Sequence, residues 1–418
     1  MRTYTTRISP SVLSRCLAKL ISCLVFLSVV LPGTNCPAGN EAAFKPLFPV
    51  EIEHDFPEPE KTFENVKDLI LENYYSDNIS ENALYWAAIQ GMLRHISPPE
   101  NPDLSRIWTP DEYDQILQAL KGVDLSIGIK SSFNPNDGSL TVTDVFSGSP
   151  AETILKPLDR IMRINALPLK GKSVAEINAL LKGKEGTDVT LTVSRDIQVF
   201  DVTLKRKTFE TETLIVSRPT DTVALVEIKS FTANLSGKLR DELGQLKEDG
   251  FTGLIIDLRN NNGGLLNDAL RTVELFLPEK SVLLRTLQRK TGLQNYVSSN
   301  TDPFEFDMAV LVNRNTASSA EILAGALQDH NKALIIGTRT FGKGVFEKTF
   351  TLENDYRVKF IIGAMYSPKG KTWQNRGITP DFLVDQSDET LARLLKADIA
   401  NRFRNDVGMI TAYKLLTR

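Results

Sequence analysis

Hydrophobic residues recur at helical spacing in the first third of the chain. Two such series occur between residues 61 and 118, and prolines at positions 98, 99, 102 and 110 interrupt the pattern after them. The pattern predicts a small helical subdomain over residues 61–118. The two series consist of Phe63, Val66, Ile70 and Tyr74, and of Leu84, Ala88 and Met92.

From about residue 121 the hydrophobic period changes to that of β-strands. Short strands are predicted at 140–145, 188–193 and 199–204, and one helix, at 174–181, lies among them. The pattern indicates a compact, mainly-β unit over residues 119–208.

Strands and helices alternate from residue 222 onward. Such alternation is typical of an α/β layer with parallel or mixed strands. We therefore predict an α/β core over residues 209–385, followed within 386–418 by one C-terminal helix that runs from about 388 to 403. The core strands are expected at 223–228, 253–258, 308–312 and 333–337, and the helices are expected to begin near residues 235, 266 and 319.

Composition and charge narrow the class of protein. A chain of 418 residues is too long for one ordinary domain, and its 41% hydrophobic and 24% charged residues are typical of a globular protein. The net charge of −3 indicates no basic surface, so nucleic acid is not an expected partner.

The N-terminal segment departs from this composition. Four basic residues precede an uncharged, apolar run at 20–31, which is shorter than the roughly 20 residues needed to span a bilayer. We predict that residues 1–36 are a signal peptide, with a retained N-terminal anchor as the alternative, and that residues 37–60 form a linker. The protein is then exported to the periplasm or cell envelope, and it contacts the membrane only through the N-terminal segment if that segment is uncleaved.

Cysteine and histidine usage excludes several kinds of site. All three cysteines lie in residues 1–36, so the mature chain is expected to lack the thiols that disulfides, thiolate catalysis and cysteine zinc sites require. The three histidines include no pair at metal-ligand spacing. We expect neither a metal nor a cofactor.

A serine-rich turn before an apolar helix offers a candidate nucleophile. Ser318 lies in this turn, and a serine nucleophile needs a base within hydrogen-bonding reach. His54 and His95 lie in other regions, and His330 is 12 residues further along the same helix, roughly 18 Å away. Lys343, between two glycines, is the remaining candidate base near this turn. On these residues alone, Ser-Ser-Ala-Glu is more often a helix capping box than a catalytic turn, and Lys343 is more often an ordinary solvated loop lysine than a base.

The spacing of these residues resembles the active-site block of the tail-specific, or C-terminal processing, serine peptidases. Lys343 lies 25 residues after Ser318, and Glu321 lies three residues after Ser318. The resemblance implies a Ser318/Lys343 dyad. It also implies that the Gly263-Gly264 turn supplies one oxyanion-hole amide and that Ser319 supplies the other; the sequence does not choose between the two glycines.

The resemblance extends over roughly residues 60–385. Residues 364–381 resemble the family's closing strand and turn, and residues 121–208 resemble a PDZ domain with Leu158 and Ala166 where glycines are usual, so the local turns are expected to differ. It implies a crotonase-like α/β catalytic core with an inserted mainly-β PDZ domain and a helical N-terminal subdomain.

In such a PDZ domain a substrate C-terminus pairs as an added strand beside the helix at 174–181. The resemblance implies that backbone N–H groups hold the peptide carboxylate. The implied substrate-binding residues are Leu125, Ser126, Ile127 and Gly128 in the carboxylate loop and Val174, Ile177 and Leu181 on the helix.

Glu347 departs from the family pattern, which often has a glutamine four residues after the lysine. An ionised carboxylate beside the amine would favour its protonated form, which cannot act as a base. Glu347 could instead be neutral in a dry site, point elsewhere as a surface strand residue, or belong to a latent form.

We therefore predict an exported serine endopeptidase that cleaves proteins near their C-termini. Its expected partners are protein or peptide substrates with free C-termini, and an adaptor protein where one opens the PDZ domain. The alternative is a pseudopeptidase that binds peptides as a scaffold. A crotonase-type acyl-CoA enzyme is a more distant alternative, against which the export signal and the PDZ unit argue.

Overall fold

The computed structural model describes residues 57–99 and 101–417, which form part of a single compact unit. The predicted signal segment (1–36), most of the predicted linker and His54 lie outside the described residues. Two helices, α1 (Pro59–Asn73) and α2 (Glu81–His95), begin the described chain. Lys67 of α1 joins them, because its ammonium contacts the carboxylates of Glu64 and Glu81 and the hydroxyl of Tyr85.

The predicted helical subdomain also contains an extended segment. After a 3-10 turn at Pro102–Leu104, strand β1 (Arg106–Trp108) pairs antiparallel with a strand of the core. Helix α3 (Pro110–Leu120) follows, and it begins with a capping box formed by Thr109 and Glu112. The prolines therefore end α2 and restart the helical path, as expected, but a strand lies between them.

The β-rich unit is built around a sheet in the order β3-β4-β5-β7-β8, with β6 beside β5 and helix α4 packed on it. Strands β2 and β9 pair with each other at the two ends of the unit. The elements are β2 (Val123–Ser126), β3 (Ile129–Asn134), β4 (Ser139–Val145), β5 (Arg160–Ile164), β6 (Leu167–Pro168), α4 (Val174–Leu181), β7 (Asp188–Arg195), β8 (Gln198–Lys205) and β9 (Lys207–Glu210).

The turns at Leu158 and Ala166 do not differ in the way that the sequence led us to expect. Both residues have positive φ, 76° and 64°, which is the backbone region that glycine favours. Leu158 is 82% exposed, so its side chain lies mostly in solvent. The turns thus keep a glycine-like conformation at a local cost in strain.

The α/β core contains a six-stranded sheet in the order β10-β11-β12-β15-β16-β19. All pairs are parallel except β10–β11, and the central strands are buried on both faces, which explains their nearly continuous apolar sequence. The elements are β10 (Leu214–Ser217), β11 (Val223–Ile228), α5 (Leu235–Glu248), β12 (Gly253–Asp257), α6 (Leu266–Glu274), β13 (Val282–Gln288), β14 (Gly292–Val297), β15 (Asp307–Val312), α7 (Ser319–Asp329), β16 (Ala333–Gly337), β17 (Val345–Thr351), β18 (Arg357–Tyr366) and β19 (Phe382–Leu383).

Strands β13, β14, β17 and β18 form a second sheet, which β1 joins at β18. Helix α7 links the two sheets, because it follows β15 of the first and packs beside β16 and β13. The start of α7 therefore lies close to the turns that follow β12 and β16.

The C-terminal segment is three helices and not the single helix predicted over 388–403. They are α8 (Asp388–Leu395), α9 (Ile399–Asn405) and α10 (Val407–Leu416). The helical path restarts because Asp398 and Asp406 each cap the following helix with a side-chain carboxylate. Among the described residues, no helix combines the length and the apolar character needed to cross a membrane.

A buried ionic network fastens these helices to the core sheet. Arg259 contacts Asp257 and Asp406, and Arg402 contacts Asp257 and Glu227. All five side chains are buried, so each charge depends on its partners for solvation.

Candidate active site

Ser318 lies in the turn immediately before α7 and is partly exposed. Its backbone has φ 56° and ψ −119°, a conformation that residues with a side chain rarely adopt. Such strain persists only where surrounding contacts impose it, and it is common at functional turns. The helix that follows is buried from Ser319 to Leu327, so the turn has a rigid base.

Glu321 connects the serine turn to the lysine loop. Its side chain is fully buried, and its Oε2 accepts hydrogen bonds from the backbone N–H of Ser318 (2.8 Å) and of Lys343 (2.9 Å). Its Oε1 accepts from the Thr340 hydroxyl (2.6 Å) and the Gly342 N–H (2.7 Å). Burial raises the pKa of the Glu321 carboxyl, although these hydrogen bonds oppose the shift.

The backbone on either side of Lys343 is also fixed. Gly344 N–H donates to Gln374 Oε1 (2.6 Å), and the Lys343 carbonyl accepts from the Trp373 indole (2.9 Å). A Cβ at Gly342 or at Gly344 would lie 2.8 Å from a backbone nitrogen, so close packing accounts for both glycines. Lys343 is therefore not an ordinary solvated loop lysine; its side chain is only 21% exposed.

The Lys343 ammonium is paired with Glu347. Nζ lies 2.8 Å from Oε1 of Glu347, although Oε1 receives no well-aligned hydrogen bond. Glu347 directly follows a register shift between β17 and β18, and its side chain is 11% exposed, so it is not a surface strand residue. The Lys359 ammonium lies 3.9 Å from the same oxygen. Within the described chain, Ser318 Oγ and Lys343 Nζ form no hydrogen bond with each other.

The glycine turn after β12 lies against the serine turn. A Cβ at Gly263 would lie 2.9 Å from the Cβ of Ser318 and 3.0 Å from the N of Ser319. Gly263 N–H donates to Asn261 Oδ1 (2.8 Å), whereas the N–H groups of Gly264 and Ser319 donate no hydrogen bond to the described residues. The Ser319 hydroxyl donates to the Gly264 carbonyl (3.0 Å), which ties the two turns together.

Asn261 has a positioning role that the sequence did not indicate. It is fully buried, and its amide donates to the carbonyl of Ile228 at the end of β11 while its oxygen holds the Gly263 N–H. The backbone carbonyl of Asn261 accepts a further hydrogen bond, from the N–H of Ala317 (2.9 Å). One residue thus connects the strand end, the glycine turn and the serine turn.

The predicted carboxylate loop lies between β2 and β3. Gly128 has φ 79°, its N–H donates to the hydroxyl of Ser126 (2.9 Å), and that hydroxyl donates to Asp124. Leu125 and Ser126 belong to β2, and Ile127 is buried.

The helix residues predicted to line the peptide site face inward. Ile177 and Leu181 of α4 are buried in the same apolar cluster as Ile127, and nothing is described of the Val174 side chain. In the described sheet, β3 pairs with β4 alone, so its other edge is unpaired. An unpaired edge of this kind can accept an added strand.

The described histidines lie away from Ser318. His95 ends α2, and His330 follows the far end of α7, where its Nε2 lies 2.8 Å from the Val282 carbonyl. In residues 57–99 and 101–417, no group of three or more His, Cys, Asp or Glu side chains has a metal-binding arrangement.

Two segments of the chain match known protein families. Residues 222–384 match the family model "Peptidase family S41", and residues 126–205 match the model "PDZ domain". The first range contains Ser318, Lys343, Glu347 and the Gly263-Gly264 turn.

Curated relatives cover most of the chain. A "Probable CtpA-like serine protease" of Staphylococcus aureus (strain N315) is 31% identical over 325 residues, which are 77% of this chain and 64% of the relative. A protein with the same description from Staphylococcus saprophyticus is 31% identical over 329 residues, which are 78% of this chain and 65% of that protein. The chain therefore spans a little under two thirds of the length of these relatives.

Solved structures share the fold. The "Photosystem II D1 C-terminal processing protease" is 22% identical with a TM-score of 0.50, and the match covers 82% of this chain and 99% of that one. A "Putative S41 protease" from Bacteroides fragilis is 17% identical with a TM-score of 0.56, and the match covers 88% of this chain and 99% of that one. The predicted fold class, an α/β peptidase core with a PDZ domain, is confirmed.

Proposed function

Because residues 222–384 match the model of peptidase family S41 and residues 126–205 match that of a PDZ domain, we propose that the chain is a serine endopeptidase. Ser318 is the nucleophile of this proposal and Lys343 is its general base. The observation that carries it is the pair of hydrogen bonds from the N–H groups of Ser318 and Lys343 to one carboxylate oxygen of Glu321.

The proposed reaction begins with attack of Ser318 Oγ on the scissile carbonyl. Neutral Lys343 accepts the hydroxyl proton and then delivers it to the leaving amine, which leaves an acyl-enzyme. The unused N–H groups of Gly264 and Ser319 stabilise the tetrahedral oxyanion, since the N–H of Gly263 is already engaged by Asn261. A water molecule then hydrolyses the acyl-enzyme by the same route in reverse.

The proposed substrates are proteins with free C-termini. The PDZ domain would take the substrate tail as a strand on the unpaired edge of β3, with the loop Leu125–Gly128 near the tail carboxylate. Export is supported by the basic and then apolar sequence of residues 1–36. Cleavage near the C-terminus follows from holding the tail while an upstream bond enters the active site.

A cleavage assay tests the proposal. Wild type, Ser318→Ala and Ser299→Ala are incubated with a denatured protein and with peptides that have free apolar C-termini. Ser299 is an exposed serine whose hydroxyl donates to Glu274, which is not a residue of the candidate site, so its variant controls for loss of a hydroxyl. Cleavage by wild type and Ser299→Ala but not by Ser318→Ala supports the proposal, and full cleavage by Ser318→Ala would contradict it.

The Lys343–Glu347 pair favours a second candidate, a pseudopeptidase that binds peptides without cleaving them. A lysine that stays protonated beside Glu347 cannot accept the serine proton. This candidate predicts that wild type and Ser318→Ala bind free-acid peptides equally and that neither cleaves them between pH 6 and 10.

A further inference from the structure

A second lysine contacts Glu347 from the neighbouring strand. Lys359 lies on β18 opposite Thr349 of β17, and its ammonium is 3.9 Å from the Glu347 oxygen that also contacts Lys343. The side chains of Lys343, Lys359 and Glu347 are 21%, 25% and 11% exposed, so water screens these charges only in part. One partly buried carboxylate, that of Glu347, thus contacts two ammonium groups.

The helical subdomain fixes the position of Lys359. Strand β1 pairs with β18 so that Arg106 is opposite Lys359, and the Lys359 ammonium lies 5.5 Å from the ring centroid of Trp108. An ammonium over an indole face at this distance is attracted by the ring quadrupole. Trp108 therefore favours the charged form of Lys359.

We propose that Lys359 is a positioning residue of the candidate dyad, whose charge offsets that of Glu347 so that Lys343 can act as a base in its neutral form. This inference rests on the proposed function. With Glu347 alone, the protonated form of Lys343 is favoured by the adjacent carboxylate. With Lys359 at the same oxygen, the carboxylate and the second ammonium together carry no net charge, so that preference is largely removed.

Three other cationic side chains lie on the strands beside Lys359. Arg106 on β1 is exposed, and Arg357 on β18 packs over the ring of Tyr113. Lys348 on β17 is exposed and packs over Phe350. The carboxylate of Glu347 contacts both Lys343 and Lys359.

The charge balance predicts opposite shifts for two single variants and cancellation in the double variant. Lys359→Met removes the offsetting charge, so the rising limb of the pH–rate profile should move to higher pH, and activity at pH 7 should fall about tenfold. Glu347→Gln should move the same limb to lower pH. Lys359→Met/Glu347→Gln should return it close to the wild-type position, because no net charge is then changed.

Two readouts on the full-length protein test this inference. Trace acetylation of lysine amines at pH 6 to 10, read by mass spectrometry, reports the neutral fraction of Lys343 directly, and pH–rate profiles report turnover. Lys348→Met is the matched control: it removes one nearby positive charge that does not contact Glu347, and its profile should match wild type. A Lys343 titration that is unchanged in Lys359→Met, or a rate loss that is equal at every pH, overturns the inference.

The two proposals fail in distinguishable ways. Absence of cleavage in wild type, together with the expected shifts in Lys343 acetylation, would reject the peptidase and support the charge relationship. Cleavage that depends on Ser318, together with an unshifted Lys343 titration, would support the peptidase and reject the role of Lys359.

Discussion

The backbone N–H groups of Ser318 and Lys343 donate to the same carboxylate oxygen, Oε2 of Glu321, at 2.8 and 2.9 Å. The two residues are 25 positions apart in sequence, and a helix and a strand lie between them. A buried carboxylate thus sets the relative position of the candidate nucleophile and base. Each oxygen of Glu321 accepts two hydrogen bonds, at least one of them from a backbone N–H. A side-chain N–H group in place of either oxygen would therefore face another donor.

Glu321→Gln should therefore lower activity although it preserves the shape of the side chain. In either orientation the amide –NH2 of glutamine would face a backbone N–H donor, those of Ser318 and Lys343 or that of Gly342, and a lost hydrogen bond to a buried charged acceptor costs about 1.5–3 kcal/mol. We expect kcat to fall about 10- to 100-fold. The exposed Glu353→Gln variant is the control, and equal kcat values in both variants would rule out this role for Glu321.

Gly263→Ala should impair the oxyanion turn. The added methyl would lie 2.9 Å from the Cβ of Ser318 and 3.0 Å from the N of Ser319, at a residue with φ 105°. We expect loss of at least about 2 kcal/mol of transition-state stabilisation, seen in kcat/KM. Gly244→Ala in α5, where the added methyl meets nothing within 4 Å, should leave kcat/KM unchanged. Retention of wild-type kcat/KM by Gly263→Ala would contradict the assignment of this turn.

The PDZ domain should distinguish a free C-terminus from an amidated one. Amidation removes the negative charge that backbone N–H donors near Leu125–Gly128 would recognise, so we expect weaker binding of the amide, by about tenfold. Isothermal titration with Ser318→Ala, which should bind without cleaving, gives both dissociation constants. Equal values would leave this domain with a spacer role.

The buried network at Asp257 predicts a stability that depends on pH. Burial alone would raise the pKa of the Asp257 carboxyl, but the charge and hydrogen bonds of Arg259, with the charge of Arg402, lower it overall. Its contribution to stability is therefore fully present above the unfolded-state pKa of about 3.9 and is lost as pH falls through the lower folded-state pKa.

Asp257→Asn tests that relationship. We expect it to lower the free energy of unfolding by about 3 kcal/mol at pH 7, and the difference from wild type should narrow below about pH 4. Urea denaturation at both pH values gives the two differences. Asp249→Asn, which removes one partner of a half-exposed pair with Arg218, should change stability by less than about 1 kcal/mol. A difference for Asp257→Asn that stays constant with pH would exclude the ionic contribution.

The sequence predicted the features that depend on local pattern. The α/β alternation, the strand at Ala333–Gly337 and the helix at Val174–Leu181 follow from hydrophobic period and turn residues, and the structure has them at those positions. Strand β1 was missed because three extended residues between prolines have no periodicity, and only pairing with β18 makes them a strand. The prediction of a single C-terminal helix was wrong. Asp398 and Asp406 each cap a new helix and so interrupt an otherwise continuous apolar pattern.

The candidate site shows the same division. The spacing of Ser318, Glu321 and Lys343 matches that of the peptidase family that the sequence resembles, so the sequence could indicate these residues. Asn261 and Lys359 could not be found in that way, since their roles depend on contacts with elements distant in sequence. The contact between Glu347 and Lys343 lies beside a register shift in β17, which no sequence pattern marks.

The most direct test of the Ser318/Lys343 dyad is the rate at which a fluorophosphonate labels the protein, with the modified residue identified by mass spectrometry. The dyad predicts a single modification at Ser318, with a rate that rises with pH as Lys343 loses its proton, and loss of labelling in Lys343→Ala despite retained folding. Labelling of Ser318 at an undiminished rate in Lys343→Ala, or labelling at another residue alone, would contradict the account.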